Sequence, residues 1–440
     1  MNCALAEPLA HPLPGRHANK EDSVAGCAIR FLQASDFQLD RPLSSLGQVP
    51  AGLREPLQEA SYAATRRVFD TAVAERVDFM LLPGNLCDPR HVGARGLVFL
   101  VEQFRRLEEQ GIPIFWSHGH DDRANRWPAG LEWPDNVKRF TQAVPQVEHF
   151  RRDGVATVDI IGSSWTRRTN EPGPLFTSDG TTQFTIAMLG GNISAGATEG
   201  MGPHFWAMGG ANNAATHDVG HSIVHWSGTP QGRGPAETGS HGCSVVEVDD
   251  HGGFNIRHVS CDAVRWLDDE IAVDEGCDSA GIEQLVMGRS KEHALLNPDR
   301  IMAVTWELGT VPLTALGHRL RSPAAEWKAT LVERLEATRD NLVVAGIHWN
   351  SPFNELAFEE DSLRGSFLRS LARLLDEKQV TNLLAQALPD ETSDSLAKIL
   401  SSDDAATIAM VVDEVASLGD SLLDGAARSR PLNSDKPEAA

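Results

Sequence analysis

The sequence predicts an α/β protein in which a parallel sheet passes into a strand-rich second half. Two patterns carry this expectation. Near-continuous apolar runs alternate with amphipathic stretches between residues 29 and 116. Beyond residue 150 the apolar runs shorten and glycine-rich loops separate them.

The first expected strand is Ile29–Ser35, apolar and then polar. A helix is expected over 55–76, where Ala60, Ala64, Val68 and Ala72 recur at i,i+4 on one face. Val77–Leu82 reads as a strand buried on both sides, the pattern of a parallel sheet. Residues 94–110 are amphipathic, with Leu97, Leu100, Val101, Phe104 and Leu107 on one stripe, and Gly111 is placed to cap that helix. Ile112–Trp116 is the third strand. This order is βαβαβ, which requires a parallel sheet with right-handed crossovers.

Short strands follow at 155–163, 183–189, 222–226 and 243–248, enough for a second sheet. Trp116, Trp165, Trp206 and Trp226 lie within or beside these strands and are expected in the core. From residue 263, strands at 301–306 and 341–347 flank a helix near 324–338, a small α+β module. Residues 362–424 read as helical, with one apolar stripe through Leu363, Phe367 and Leu371 and another through Leu396, Leu400, Ile408, Val411 and Val415. The expected organisation is a flexible leader (1–27), a main domain (28–262), the module (263–360), a helical tail (361–425) and a disordered tail (426–440).

The 440 residues carry a formal net charge of −22. It divides into −8 over residues 1–262 and −14 over 263–440. A broad nucleic-acid-binding surface works by neutralising phosphates with Lys and Arg, so weak or absent DNA binding is expected. The basic residues Arg66-Arg67, Arg105-Arg106, Arg151-Arg152 and Arg167-Arg168 occur as isolated pairs and read as solvated faces. Six cysteines without a CxxC pair read as reduced, mostly buried thiols. No signal-peptide core follows the first residues, and no apolar run approaches the ~20 residues of a membrane span. A cytoplasmic location without membrane attachment is the expectation.

In open α/β sheets, chemistry gathers at the carboxyl ends of the strands. Three such ends are rich in polar residues: Ser35-Asp36-Phe37-Gln38, Pro83-Gly84-Asn85-Leu86-Cys87-Asp88 and Ser117-His118-Gly119-His120-Asp121-Asp122. Two later loops add Gly190-Gly191-Asn192 and Gly209-Gly210-Ala211-Asn212. Gly84, Gly119 and Gly209 are expected to serve the backbone of these turns.

In motif order and placement the chain resembles the calcineurin-like metallophosphoesterase superfamily, in its branch of bacterial DNA-repair exonucleases (SbcD-like nuclease subunits). That family carries Asp-x-His, Gly-Asp-x-x-Asp, Gly-Asn-His-Asp, a later strand-end His and Gly-His-x-His. Supporting stretches are Ala63–Asp70, Val77–Gly84 and Gly228-Thr-Pro-Gln-Gly-Arg233. The resemblance covers about 29–262. It implies a two-sheet sandwich flanked by helices, with the module at 263–360 as a capping region. It also implies seven side chains that hold two ions such as manganese. Oxygen and imidazole donors suit those ions, which orient a phosphate and generate a hydroxide.

The departures from that pattern are extensive. Asp36 matches, but Gln38 stands where the family has His. Asn85 replaces the bridging Asp, while Asp88 keeps the second acidic position of that motif. His120 replaces the Asn ligand, and Asp121 replaces the His that assists the leaving group; Asp122 closes the motif. Gly190 replaces the strand-end His, and Gly210 and Asn212 replace the last two. Asp36, Asp88, His120 and Asp122 are the best residual candidates for a divalent ion, with His217, His221 and His225 approaching from later loops. His217 and His221 would pair on a helix, but Gly220 argues for a solvated loop. Arg123, Arg126 and Arg233 are the candidates for a phosphate.

One ligand of seven does not hold two repelling cations. The expectation is therefore a protein without a cofactor, manganese being the ion if there is one. Such a protein serves as a non-catalytic scaffold or regulatory subunit. By resemblance its helical tail meets a coiled-coil ATPase; packing within the chain and a homodimer are the other possibilities. The alternative is a metal-dependent phosphodiesterase or DNA exonuclease with a remodelled site. A third reading is a binding module for a small molecule or nucleotide.

Overall fold

A computed structural model describes residues 29–46, 49–165, 176, 182, 184–191, 194–274, 277, 279–309, 323–338, 341–349, 366–367 and 370. The leader, the pair Arg167-Arg168, Asn192 and the helical and disordered tails lie outside the described residues, apart from 366–367 and 370. The chain divides into two compact units. The first comprises residues up to 268 with 291–305 and 335–346; the other described residues belong to the second.

The first unit is built on two six-stranded sheets. Its early elements are β1 (Ile29–Gln33), α1 (Arg54–Gln58), α2 (Ala60–Ala74), β2 (Phe79–Leu82), α3 (Gly93–Glu109), β3 (Ile114–Ser117) and β4 (Val137–Phe140). Then come β5 (Gln146–Arg152), β6 (Val155–Ser163), β7 (Phe184–Leu189), β8 (Phe205–Met208), β9 (Ala215–Val219) and β10 (Ser222–Trp226). β11 (Gly242–Val248) and β12 (Phe254–Ser260) follow. The first sheet has the order β12-β11-β1-β2-β3-β4 and the second β5-β6-β7-β8-β10-β9. The pairs β1–β2, β2–β3 and β3–β4 are parallel, as are β6–β7, β7–β8 and β8–β10.

Strand alternation explains the layers. In β1, β2 and β3, Leu32, Met80, Leu82, Ile114 and Trp116 face helices α2 and α3, where Val68, Phe69, Leu100 and Phe104 cover them. The alternate residues Phe31, Phe79, Leu81 and Phe115 point the other way, onto Val158, Ile160, Ile186, Met188 and Phe205 of the second sheet. Each strand is apolar on both faces because each face is buried. The layers are thus helices, mixed sheet and mixed sheet, the two-sheet α/β fold that the sequence predicts.

Three expectations change in detail. The helix over 55–76 is two helices, meeting at Glu59. Strands β4, β5, β8, β9 and β12 are not marked by the sequence pattern, nor are the strand at Val264–Ile271 and the helix at Ser279–Leu296. His217 lies on β9, an edge strand, and is neither helical nor in a loop. His225 is buried in β10, where its ring meets Thr216 Oγ1 and Ser244 Oγ, each at 2.8 Å. Both of its ring nitrogens are thus engaged by residues of neighbouring strands.

The remaining elements are β13 (Val264–Ile271), α4 (Ser279–Leu296), β14 (Ile301–Leu308), α5 (Pro323–Thr338) and β15 (Leu342–Trp349). Their strands form a third sheet in the order β13-β14-β15. Among the described residues, no helix is long and apolar enough to cross a membrane.

Candidate functional site

The carboxyl ends of β1, β2 and β3 open side by side, and two of their loops are laced together. Asp36 N donates to Gly84 O at 3.0 Å, Gln38 N to Asn85 O at 3.3 Å and Leu39 N to Leu86 O at 3.2 Å. Asp36, Gln38 and Asn85 all adopt left-handed backbone, with φ of 56°, 46° and 57°. That conformation costs a non-glycine residue on the order of 1 kcal/mol or more, and such strain collects at functional loops.

At the centre, Asp36 and Asn85 face each other. Asn85 Nδ2 donates to Asp36 Oδ1 at 2.8 Å. Asn85 Oδ1 accepts the Asp121 N–H at 3.1 Å, and that second partner fixes which end of the amide faces Asp36. The other Asp36 oxygen accepts from Gly210 N at 2.8 Å and Ser35 Oγ at 2.6 Å. Both carboxylate oxygens are thus engaged. Burial pushes the Asp36 carboxyl up to about 6, against the pull of these donors.

Asp122 sits behind this pair, fully buried. It accepts from Gly119 N at 2.6 Å, Asn85 N at 2.9 Å, Leu86 N at 3.4 Å and Trp116 Nε1 at 3.1 Å. Burial again dominates and raises it to about 6. Its role in this geometry is to tie the second and third loops together. His118 is also buried; its Nδ1 meets Asp122 O at 2.8 Å, and burial lowers it to about 3. It is a neutral structural imidazole.

The other sequence-selected residues form a rim of ion pairs. Arg41 joins Gln38 Oε1 at 3.1 Å and Asp121 Oδ2 at 2.8 Å. Asp88 is held by Arg90 at 2.6 Å, and that hydrogen bond lowers its carboxyl well below the usual range. Arg126 donates to Asp121 O at 3.0 Å and lies 3.8 Å from Asp88. Arg233 pairs with Glu237 at 3.4 Å, and Asn212 donates to the same carboxylate at 3.1 Å. The Arg123 guanidinium stacks 4.4 Å over Trp165, and the His120 ring meets that indole edge-on at 4.7 Å. Trp165 is therefore a rim residue, not the core residue expected from its position after an apolar strand. Arg41 and Arg90 also belong to the site and carry no motif mark in sequence. Arg41, five residues past Asp36, and Arg90, two past Asp88, shared those loops and were the available signal.

The structure thus brings Asp36, Asn85, Asp121, Asp122 and Gly210 together, with Gly190 above Gly119. It places Asp88 on the rim and turns Asn212 toward Glu237. Two divalent cations need anionic donors between them to offset their repulsion. Position 85 instead presents an N–H to Asp36, and positions 190 and 210 offer no side chain. A Cβ on Gly190 would lie 2.7 Å from Gly119 Cα and 2.8 Å from His118 O, so the backbone already occupies the space a ligand there would use. Among the described residues, no three His, Cys, Asp or Glu side chains converge to hold a metal ion. This donor set does not fit a two-metal centre.

No family model matches the chain. A curated relative, the uncharacterized metallophosphoesterase YhaO of Bacillus subtilis (strain 168), is 29% identical over 275 residues. That alignment covers 59% of this chain and 66% of the relative, just under two thirds of its length. Two solved structures are distant likenesses. A dimetal phosphatase from Danio rerio has a TM-score of 0.34 at 10% identity, covering 54% of this chain and 97% of that one. Vacuolar protein sorting 29 from Cryptosporidium parvum has a TM-score of 0.23 at 14% identity, covering 52% and 95%.

Proposed function

With homology to a metallophosphoesterase as premise, we propose that this chain is a metallophosphoesterase-like protein that has given up the two-metal reaction and acts as a non-catalytic scaffold or regulatory subunit. One observation carries the reading: Asn85 Nδ2 donates to Asp36 Oδ1 at 2.8 Å. A bridging position that supplies a proton donor to its neighbour closes the gap that a pair of cations would hold open. The SbcD-like branch, the coiled-coil ATPase partner, the homodimer, the weakness of DNA binding and the cytoplasmic location belong to the same proposal. The net charge of −22 supports the weak DNA binding.

The test is elemental analysis of purified full-length protein together with hydrolysis of an aryl phosphodiester and of duplex DNA, with and without added manganese. Substoichiometric metal and background turnover are expected. Stoichiometric manganese, iron or zinc, with turnover abolished by Asp36→Ala, would establish the alternative, a remodelled metal-dependent phosphodiesterase. A copurifying ATPase that survives deletion of residues 362–425 would sink the proposed partner contact.

A further inference from the structure

Two of the buried cysteines lie side by side, far apart in use from the strand-end loops. Cys243 is the second residue of β11 and Cys261 directly follows β12, its antiparallel neighbour. Their sulfurs are 3.7 Å apart, and both residues are fully buried under helix α2. Cys243 is opposite Val259 in the register, so Cys261 is its diagonal neighbour two residues on, on the same face of the sheet.

We propose that Cys243 and Cys261 are a thiol pair that closes to a disulfide under a two-electron oxidant such as hydrogen peroxide. The Cys261 thiolate attacks one peroxide oxygen, giving a sulfenic acid and, after protonation, water. The Cys243 sulfur then attacks the sulfenic sulfur, the S–S bond forms, and the hydroxyl leaves as a second water. Two thiols are oxidised by two electrons and one peroxide is reduced. The roles follow from the site. The two sulfurs share a hydrogen bond; that contact and burial raise the Cys243 thiol, and Cys261, the one beside the Arg67 guanidinium, is the attacking sulfur. Arg67 of α2 lies beside Cys261, donating to its carbonyl at 3.3 Å.

Access is through β12, the edge strand of its sheet, whose side chains are all exposed or half-buried. Fraying of that edge exposes the pair without unfolding the sandwich. Once closed, the bond fastens β12 to β11 at the foot of the loop that carries Arg233, Glu237 and His241.

The full-length protein is treated with hydrogen peroxide under native conditions and mapped by peptide mass spectrometry. Loss of two hydrogen atoms in a peptide pair linking Cys243 to Cys261 is expected, reversed by a reductant and accompanied by a higher Tm. A Cys87→Ser/Cys277→Ser variant should behave the same, and Cys261→Ser should lose the crosslink. The proposal is overturned if these two thiols stay reduced until global unfolding, if they pair with other cysteines, or if they overoxidise separately. Should Cys261→Ser fail to fold, the wild-type and Cys87→Ser/Cys277→Ser maps decide alone.

Discussion

Gly190 rests on Gly119: a Cβ built on the first would lie 2.7 Å from the Cα of the second. The two glycines let the end of β7 close on the loop after β3.

Gly190→Ala should therefore destabilise the fold. The added carbon meets backbone, which cannot rotate away, so a cost of about 1–3 kcal/mol is expected. Urea unfolding measures it. A neutral or stabilising result would mean that the loop at 118–120 yields easily. It would then leave room for a ligand at position 190.

Asn85→Asp places a second buried carboxylate against Asp36. Both groups cannot ionise at hydrogen-bond distance, so one must keep a proton. The variant should lose stability as pH rises, because the proton that the folded state retains is released freely by the unfolded chain. A deficit of about 2–4 kcal/mol relative to wild type at pH 8, smaller at pH 5, is expected. Manganese should not restore it. Full rescue by the metal, read from denaturation with and without the ion, would show that position 85 alone silenced the site.

His225 gives the protein an acid-sensitive joint. Burial lowers it from 6.5 to about 3, so the folded state holds it neutral. Below 6.5 the unfolded chain takes up a proton that the folded chain refuses, so stability falls with pH through that window. By pH 5 the loss from this residue is about 2 kcal/mol. His225→Gln should be less stable at neutral pH yet decline less between pH 7.5 and 5. Asp36 and Asp122, both raised to about 6, act with the opposite sign. Their burden is lifted as pH falls through 6, while His118, also lowered to about 3, adds a loss like that of His225, so the net curve is shallower than the two histidines alone would make it. An unchanged acid slope in His225→Gln would refute this assignment.

Gln231 is a structural pin drawn from a stretch that sequence alone marked only as a family likeness. Its Oε1 accepts from Ala263 N at 2.8 Å and Val264 N at 3.1 Å. Its Nε2 donates to Gly232 O and Val264 O, both at 2.7 Å. Gln231→Ala strands buried backbone groups and should cost about 2–4 kcal/mol by chemical denaturation. Gln231→Glu should recover only part, since it loses the two donated bonds.

Much of this architecture is legible because buried parallel strands write themselves as apolar runs. Phe79–Leu82 and Ile114–Ser117 are apolar on both faces and were placed within two residues. The missed strands are short or stand at edges. β9 and β12 leave most of their side chains exposed and half-buried, so no apolar run marks them. The turns of the site were found from their glycines and carboxylates. What composition hides is direction. Nothing in residue type says that Asn85 turns its amide nitrogen to Asp36, or that Trp165 lies under Arg123 instead of in the core.

The pairing of β1 with β11 sets a condition on synthesis. Arg30 is opposite Glu247, and its guanidinium bonds that carboxylate across 217 positions of chain. β1 lies inside its sheet, yet one of its two neighbours is made only after most of the first unit has left the ribosome. Until then the nascent chain carries a bare edge on the five-residue strand β1, and such non-local closure is slow. Fragments that end before residue 242 are expected to aggregate, while chains that pass 260 can cover that edge. The choice of where to truncate this protein is thus fixed less by its chemistry than by the order in which its strands are born.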